Sequence, residues 1–289
     1  MRFSYATVAL PTLSPQQAID ELSAAGYRGV EWKVGQAPHA MGSSAQAFLL
    51  DNRCTLWPGQ TDPDQIRDAC AAAGLAIVGL APYLTVGDLE ALRAVLDLAG
   101  ALQAPQVRLQ TPRPTRGGPG HAVLLHRTRA YLAQAEPLAS AAGVRVAVET
   151  HQGTVTPSAT LVQSLTSHFD PAVIGAIYDV GNVVVEGYEQ YDMALDILGP
   201  WLHHVHIKNV AALREDSGWR YVWSALDDGL APVAQVLDSL RRRGYAGWVS
   251  VEDLSSARDP VQTLRHNARV LDGLTPGHWA PTGQRGTTT

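Results

Sequence analysis

A single-domain (β/α)₈ barrel over residues 1–274 is the fold class that this sequence predicts. Two observations predict it: about eight helical patterns alternate with about eight apolar strand runs, and no Pro-, Gly- or Ser-rich linker divides the chain before Thr275. The length of 289 residues suits one large α/β barrel or two ordinary domains, so the strict alternation decides between them.

The elements follow in order. Phe3 to Leu10 reads as the first strand, and SPQQAIDELSAAG as a helix capped by Ser14, opened by Pro15 and stopped at Gly26. GVEWKV is the second strand. DPDQIRDACAAAG then feeds LAIVGLAPY, DLEALRAVLDLAGALQA feeds QVRLQTP, and HAVLLHRTRAYLAQAEPLASAAG feeds VRVAVETH. The pattern continues with TLVQSLTSHF into IGAIYDVGN, YDMALDILGPW into LHHVHIKN, and APVAQVLDSLRRRG into GWVSVED, and DPVQTLRHNARVLDGL closes it. Residues 275–289 read as a flexible tail. Two connections are long, Gly35 to Thr61 with Phe48 and Trp57, and Val210 to Gly229 with Trp219, Tyr221 and Trp223. Both follow strands, which places them at the mouth of a barrel as lids or walls.

Composition excludes several function classes. The net charge of -5 and the lack of a basic cluster argue against a nucleic-acid partner. Cys54 and Cys70 are the only cysteines and have no C-x-x-C spacing, so neither a disulfide framework nor a cysteine zinc site is expected. No run approaches 18 apolar residues and the N-terminus does not resemble a signal peptide; the expectation is a cytoplasmic protein with no membrane partner.

Ionisable residues at strand ends carry the chemistry. Glu149, Asp179, His206 and Glu252 end the fifth to eighth strands, about 30, 27 and 46 residues apart. As bare groups the three carboxylates would repel one another, and one divalent cation removes that repulsion. Oxygen-rich ligation with one nitrogen suits Mn²⁺ first, with Mg²⁺, Co²⁺ or Zn²⁺ as alternatives. Four separate ion pairs are the competing reading. Strand parity puts His204, His206 and Lys208 on one face of HVHIKNV, with His203, Val205 and Ile207 toward the helices. It makes His206 a ligand, Lys208 a substrate-binding cation at the mouth and His204 a deeper core histidine. His151 falls beside Glu149 as a polar substrate contact. Arg108 reads equally as a phosphate contact or an interior salt bridge, and Glu31 equally as a substrate contact or an ion pair with Lys33.

The strings GYRGVEW, VAVETHQGT, YDVGN, HVHIKN, DDGLAPVAQVL and VSVED together resemble the xylose isomerase-like TIM barrels over about Phe3 to Leu274. That superfamily holds sugar isomerases, ketose 3-epimerases, inosose isomerases and dehydratases, and abasic-site endonucleases. The resemblance implies metal ligation by Glu149, Asp179, His206 and Glu252, and an acid/base role for Glu149 and Glu252. The family's Glu after the second strand falls on Glu31. The chain departs from the pattern at Asn182, a substrate-contact position where relatives commonly carry His, and at Asn209, where many carry Asp.

The expected activity is a metal-dependent sugar or keto-polyol isomerase or epimerase, with an inosose-type dehydratase or 3-keto-glycoside lyase as the alternative. A non-catalytic sugar-binding subunit and an abasic-site endonuclease are weaker readings. The expected partner is a sugar, keto-polyol or inosose, and the chain is expected as a homodimer or monomer.

Overall fold

The computed structural model describes residues 1–35, 51–187 and 189–276. Its strands are β1 (Arg2–Ala6), β2 (Gly29–Val34), β3 (Thr55–Leu56), β4 (Ala76–Pro82), β5 (Gln106–Leu109), β6 (Arg145–Glu149), β7 (Ile174–Asp179), β8 (Leu202–Ile207), β9 (Asn209–Glu215), β10 (Gly218–Ser224) and β11 (Trp248–Val251). The helices are α1 (Pro15–Ala24), α2 (Pro63–Ala72), α3 (Leu89–Ala101), α4 (His121–Ala142), α5 (Ala159–Thr166), α6 (Val180–Val185), α7 (Tyr191–Leu198), α8 (Val233–Arg242) and α9 (Pro260–Leu274). No described helix is long and apolar enough to cross a membrane.

Eight parallel strands close the barrel. Their order around it is β1-β2-β4-β5-β6-β7-β8-β11, and β11 pairs back to β1. The short β3 adds to the edge of β2. This is the (β/α)₈ barrel that the alternation predicts, and the last four barrel strands are those whose ends carry Glu149, Asp179, His206 and Glu252.

Local chemistry sets the helix starts. The Ser14 hydroxyl accepts from the Gln17 N–H in a capping box, with Pro15 at the first turn. Asp62, Asp88, Ser158 and Asp259 cap α2, α3, α5 and α9 through their side-chain oxygens. Outward residues of the strands, among them Val30, Trp32, Leu80, Val107, Val148, Tyr178, Val205 and Val249, bury the layer between barrel and helices.

Three expectations need correction. The first strand ends at Ala6, and Thr7–Ala9 form a 3₁₀ turn. His203 does not point at the helices. It is the extra residue of a bulge, since Leu202 pairs with Ala176 and His204 with Ile177, and its ring lies over Gly175 on the Asp179 face of β7. A Cβ on Gly175 would lie 2.2 Å from that ring, so the glycine makes its space. The connection from Val210 to Gly229 is also more than a loop. Its first part is the antiparallel hairpin β9–β10, with Trp219 opposite Arg214 and Trp223 opposite Val210. Phe48 and the tail beyond residue 276 lie outside the described residues.

Candidate metal centre

The strand ends bring Glu149, Asp179, His206 and Glu252 into one buried cluster. Each offers a ligand atom, and these atoms lie within 4.8 Å of one another. Register explains part of this, because Asp179 of β7 and His206 of β8 are direct neighbours, while Glu149 completes β6 one strand further round. Glu252 follows β11 by one residue, and its N–H donates to the Ile207 carbonyl.

His206 has two engaged edges. Its Nδ1 lies 3.3 Å from Glu149 Oε1 and 3.7 Å from Asp179 Oδ2, while its Nε2 lies 2.8 Å from Glu31 Oε2. Burial opposes its charge, but Glu31, Asp179 and Glu149 outweigh burial and hold the imidazole well above its ordinary range. Glu31 is therefore neither at the surface of the mouth nor paired with Lys33. Its carboxylate lies beneath His206 and also within 3.4 Å of His204 Nε2, which reaches Ser250 Oγ at 2.8 Å. Burial acts to raise Glu31, yet the two imidazoles hold it well below the carboxylate range. Lys33 donates instead to Thr55 Oγ1 at 3.1 Å, and burial followed by Arg108 brings it down to about 8.

Each side of the cluster carries a cation. The Arg108 guanidinium donates to Glu149 Oε2 and to the Pro82 carbonyl, both at 3.0 Å, with the Tyr83 ring 4.6 Å away. The interior salt bridge is thus the arrangement that Arg108 adopts, and its 3% exposure leaves little room for a phosphate. Burial would raise Glu149, but Arg108 and His206 hold it well below the usual range. On the other side the Lys208 ammonium touches Glu252 Oε2 and lies 2.8 Å from Asp179 Oδ2. Burial keeps Glu252 raised even so, with Lys208 the main opposing influence.

The remaining predicted contacts are less open than parity implied. Asn182 is fully buried in α6; its N–H donates to the Asp179 cap and its Nδ2 to the Thr150 carbonyl at 3.3 Å. His151 stands beside Glu149 with Nδ1 2.9 Å from the Gln152 carbonyl and 3.3 Å from Arg113 Nη2, and burial pushes it down to about 4. Asn209 is a structural pin. Its side chain binds the backbone of Val210, Leu226 and Ala231 and thereby fixes the turn before α8. Sequence reasoning missed Tyr83, Arg113 and the contact of Trp223 with Lys208 at 4.9 Å. Only the place of Tyr83 just past a strand end was a usable signal.

This donor set fits a divalent cation. Three carboxylates and one imidazole nitrogen converge, the far nitrogen of that imidazole already faces a carboxylate, and buried Asp179 Oδ2 accepts no well-aligned hydrogen bond. His206, Lys208 and Arg108 face Glu31, Glu149, Asp179 and Glu252 across contacts of 3.3 Å or less, so the cluster holds one more carboxylate than cations.

Comparison with known proteins places the architecture. The chain is 29% identical over 126 residues to an inosose dehydratase of Lactiplantibacillus plantarum, a match covering 40% of this chain and 42% of that protein. Among solved structures, the 3-keto-D-glucoside 4-epimerase of E. coli superposes with a TM-score of 0.71 at 15% identity, covering 94% of this chain and 99% of that one. A probable 3-DHS dehydratase of Bacillus anthracis gives 0.70 at 17% identity over 94% and 98%. At those identities the two structures speak for the fold. The family profile described as xylose isomerase-like TIM barrel matches residues 19–274. Spanning nearly all of the barrel, that match shows that the chain belongs to the xylose isomerase-like TIM barrel family.

Proposed function

We propose that the protein is a divalent-metal-dependent isomerase or epimerase that moves a proton next to the carbonyl of a small sugar-like ketone. The observation that carries this reading is the buried convergence of Glu149, Asp179, His206 and Glu252 within 4.8 Å, at the strand ends where barrels place their chemistry. These four residues would hold the cation, His206 through Nδ1, with Glu31 fixing the ring from its far side. When bound there, the cation supplies Lewis acidity toward the carbonyl and neighbouring hydroxyl oxygens.

The chain's own groups then divide the proton work. Glu149, on the Arg108 side, and Glu252, on the Lys208 side, stand on strands separated by β7 and β8. One carboxylate takes the proton from the carbon beside the carbonyl, and the freed electron pair moves to the carbonyl oxygen to give an enediolate. The other carboxyl returns a proton, to the opposite face of that carbon in an epimerase or, in an isomerase, to the former carbonyl carbon while the neighbouring hydroxyl passes its proton to the former carbonyl oxygen. The Lys208 ammonium, buried beside both Asp179 and Glu252, offsets the oxygen charge.

Elimination is the second reading, favoured by the relatives named inosose dehydratase, although the match spans 42% of the first of them. The same enediolate would then expel a β-hydroxyl, and the Glu252 carboxyl, raised by burial, would give it a proton so that it leaves as water. The test is NMR of ketoses and inososes in heavy water with Mn²⁺-loaded protein. Exchange at one carbon with all hydroxyls retained supports isomerisation or epimerisation. Loss of water with a new alkene signal supports elimination, and no exchange with any of them rejects both.

A further inference from the structure

The hairpin β9–β10 rises from the mouth directly after Lys208. Along β10 the residues Trp219, Tyr221 and Trp223 alternate with Arg220 and Val222, so the three aromatic rings share one face. That face is the one turned to the site, because the Trp223 ring lies 4.9 Å from the Lys208 ammonium that touches Asp179 and Glu252. Opposite them on β9 stand Val210, Ala212 and Arg214. Arg214 lies over the Trp219 ring at 5.6 Å, Val210 and Ala212 offer no large apolar cover, and Trp219 and Tyr221 remain 66% and 45% exposed. Trp223 also packs against the barrel core, but packing does not account for Trp219 and Tyr221.

The stripe is long and it borders a cavity. Four residues of strand separate Trp223 from Trp219, about 13 Å at the usual rise, which exceeds one six-membered ring. Tyr221 and Trp223 line a cavity of about 400 Å³ with Gln152, Val185, Leu254 and Arg220. Its walls offer apolar faces for stacking and, at Gln152, a group that hydrogen-bonds hydroxyls, while Arg220 is paired with Glu215. We propose that Trp223, Tyr221 and Trp219 bind the part of the substrate that extends beyond the reacting ring. The substrate class is then a glycoside or aryl-substituted sugar whose outer ring stacks on the stripe. This rests on the reading of the mouth as the site of a sugar-like ketone, and continuity from Lys208 to Trp223 is what ties the stripe to the substrate.

The test uses two probes on Mn²⁺-loaded protein, methyl β-D-glucopyranoside with one ring and phenyl β-D-glucopyranoside with a second, aromatic ring, with affinities measured by calorimetry. The phenyl probe should bind about tenfold tighter, the effect expected of one to two ring contacts. In the double variant Trp219→Ala/Tyr221→Ala the two probes should bind equally, with the melting temperature, Mn²⁺ affinity and methyl-probe affinity unchanged. Absent or equal binding of the phenyl probe to the unaltered protein overturns the proposal, as does a preference that survives the double variant. A dimer that dissociates in the variant also overturns it, because the stripe would then be covered by a second copy of the chain. If heavy-water exchange fails while the phenyl preference is lost in the variant, the proton-transfer reading falls and the stripe's role as a ring-binding surface stands.

Discussion

Lys208→Met separates the charge balance of the cluster from its chemistry. The ammonium lies 2.8 Å from Asp179 Oδ2 and touches Glu252 Oε2, and all three side chains are almost fully buried. At an effective dielectric of about 20, one such pair attracts by about 6 kcal/mol before desolvation is subtracted. Removing one partner of a buried pair costs about 3–5 kcal/mol, since the carboxylates stay behind without their cation. A chain of this length unfolds with an entropy of about 0.6 kcal/mol per degree, so the metal-free variant should melt about 5–8 °C below the unaltered protein. Saturating Mn²⁺ at about 100 times its dissociation constant raises the unaltered protein by about 2.7 kcal/mol, or about 4 °C. The variant should gain more than this, because the cation meets the same carboxylates without a competing ammonium. Differential scanning calorimetry of both proteins, stripped and loaded, reads all four states. Equal melting of the stripped proteins, or a gap that Mn²⁺ leaves unchanged, would refute the assignment of Lys208 as the counter-charge of this cluster.

Other perturbations reach the remaining parts of the site. Glu31→Gln removes the carboxylate that His206 Nε2 faces at 2.8 Å, and Mn²⁺ affinity by calorimetry should fall about 10–100-fold; an unchanged value means that Glu31 does not tune the ligand. Glu252→Gln should lower heavy-water exchange by about two to four orders of magnitude with Mn²⁺ saturating, and full exchange would show that another group moves the proton. His151 and His203 are held at about 4 by burial, against an ordinary 6.5. The unfolded chain takes up protons below 6.5 that these folded imidazoles refuse, so their contribution is full above pH 6.5 and is lost as pH falls toward 4. Thermal melts across that window should show a decline that His203→Asn makes shallower; an identical slope in the variant removes His203 from the account.

Much of the barrel was legible because period-two and period-3.6 patterns are local properties of the chain. The ends of VAVETH, IYDVGN, HVHIKN and VSVED could be aligned by spacing alone, and the structure brings those residues together. Partners across the barrel were not legible in this way. Glu31 could be read as a partner of Lys33, but its true partner, His206, is set by closure of the barrel, which brings residues of β2 and β8 to 2.8 Å. His203 escaped parity because a bulge adds one residue and changes the face. The hairpin was hidden by its length, although NVAALRE and GWRYVWS flank Asp216 and Ser217 as two strands flank a turn. Arg108 and Asn182 look like mouth residues in the sequence. Their hydrogen bonds to Glu149, Pro82 and Thr150 are set by neighbours that no local pattern names.

The claim that Glu149, Asp179, His206 and Glu252 form one cation site is tested most directly by calorimetric titration of Mn²⁺ into metal-stripped protein and into His206→Gln. The glutamine keeps an N–H donor for Glu31 but offers nothing in the place of Nδ1, so folding and metal binding are separated. The account predicts one Mn²⁺ per chain in the unaltered protein and an affinity at least about 100-fold lower in the variant, which still melts cooperatively, although about 5–8 °C lower when stripped because a buried cation is lost. Equal Mn²⁺ affinity in the two proteins, or no saturable binding in the unaltered one, would contradict it.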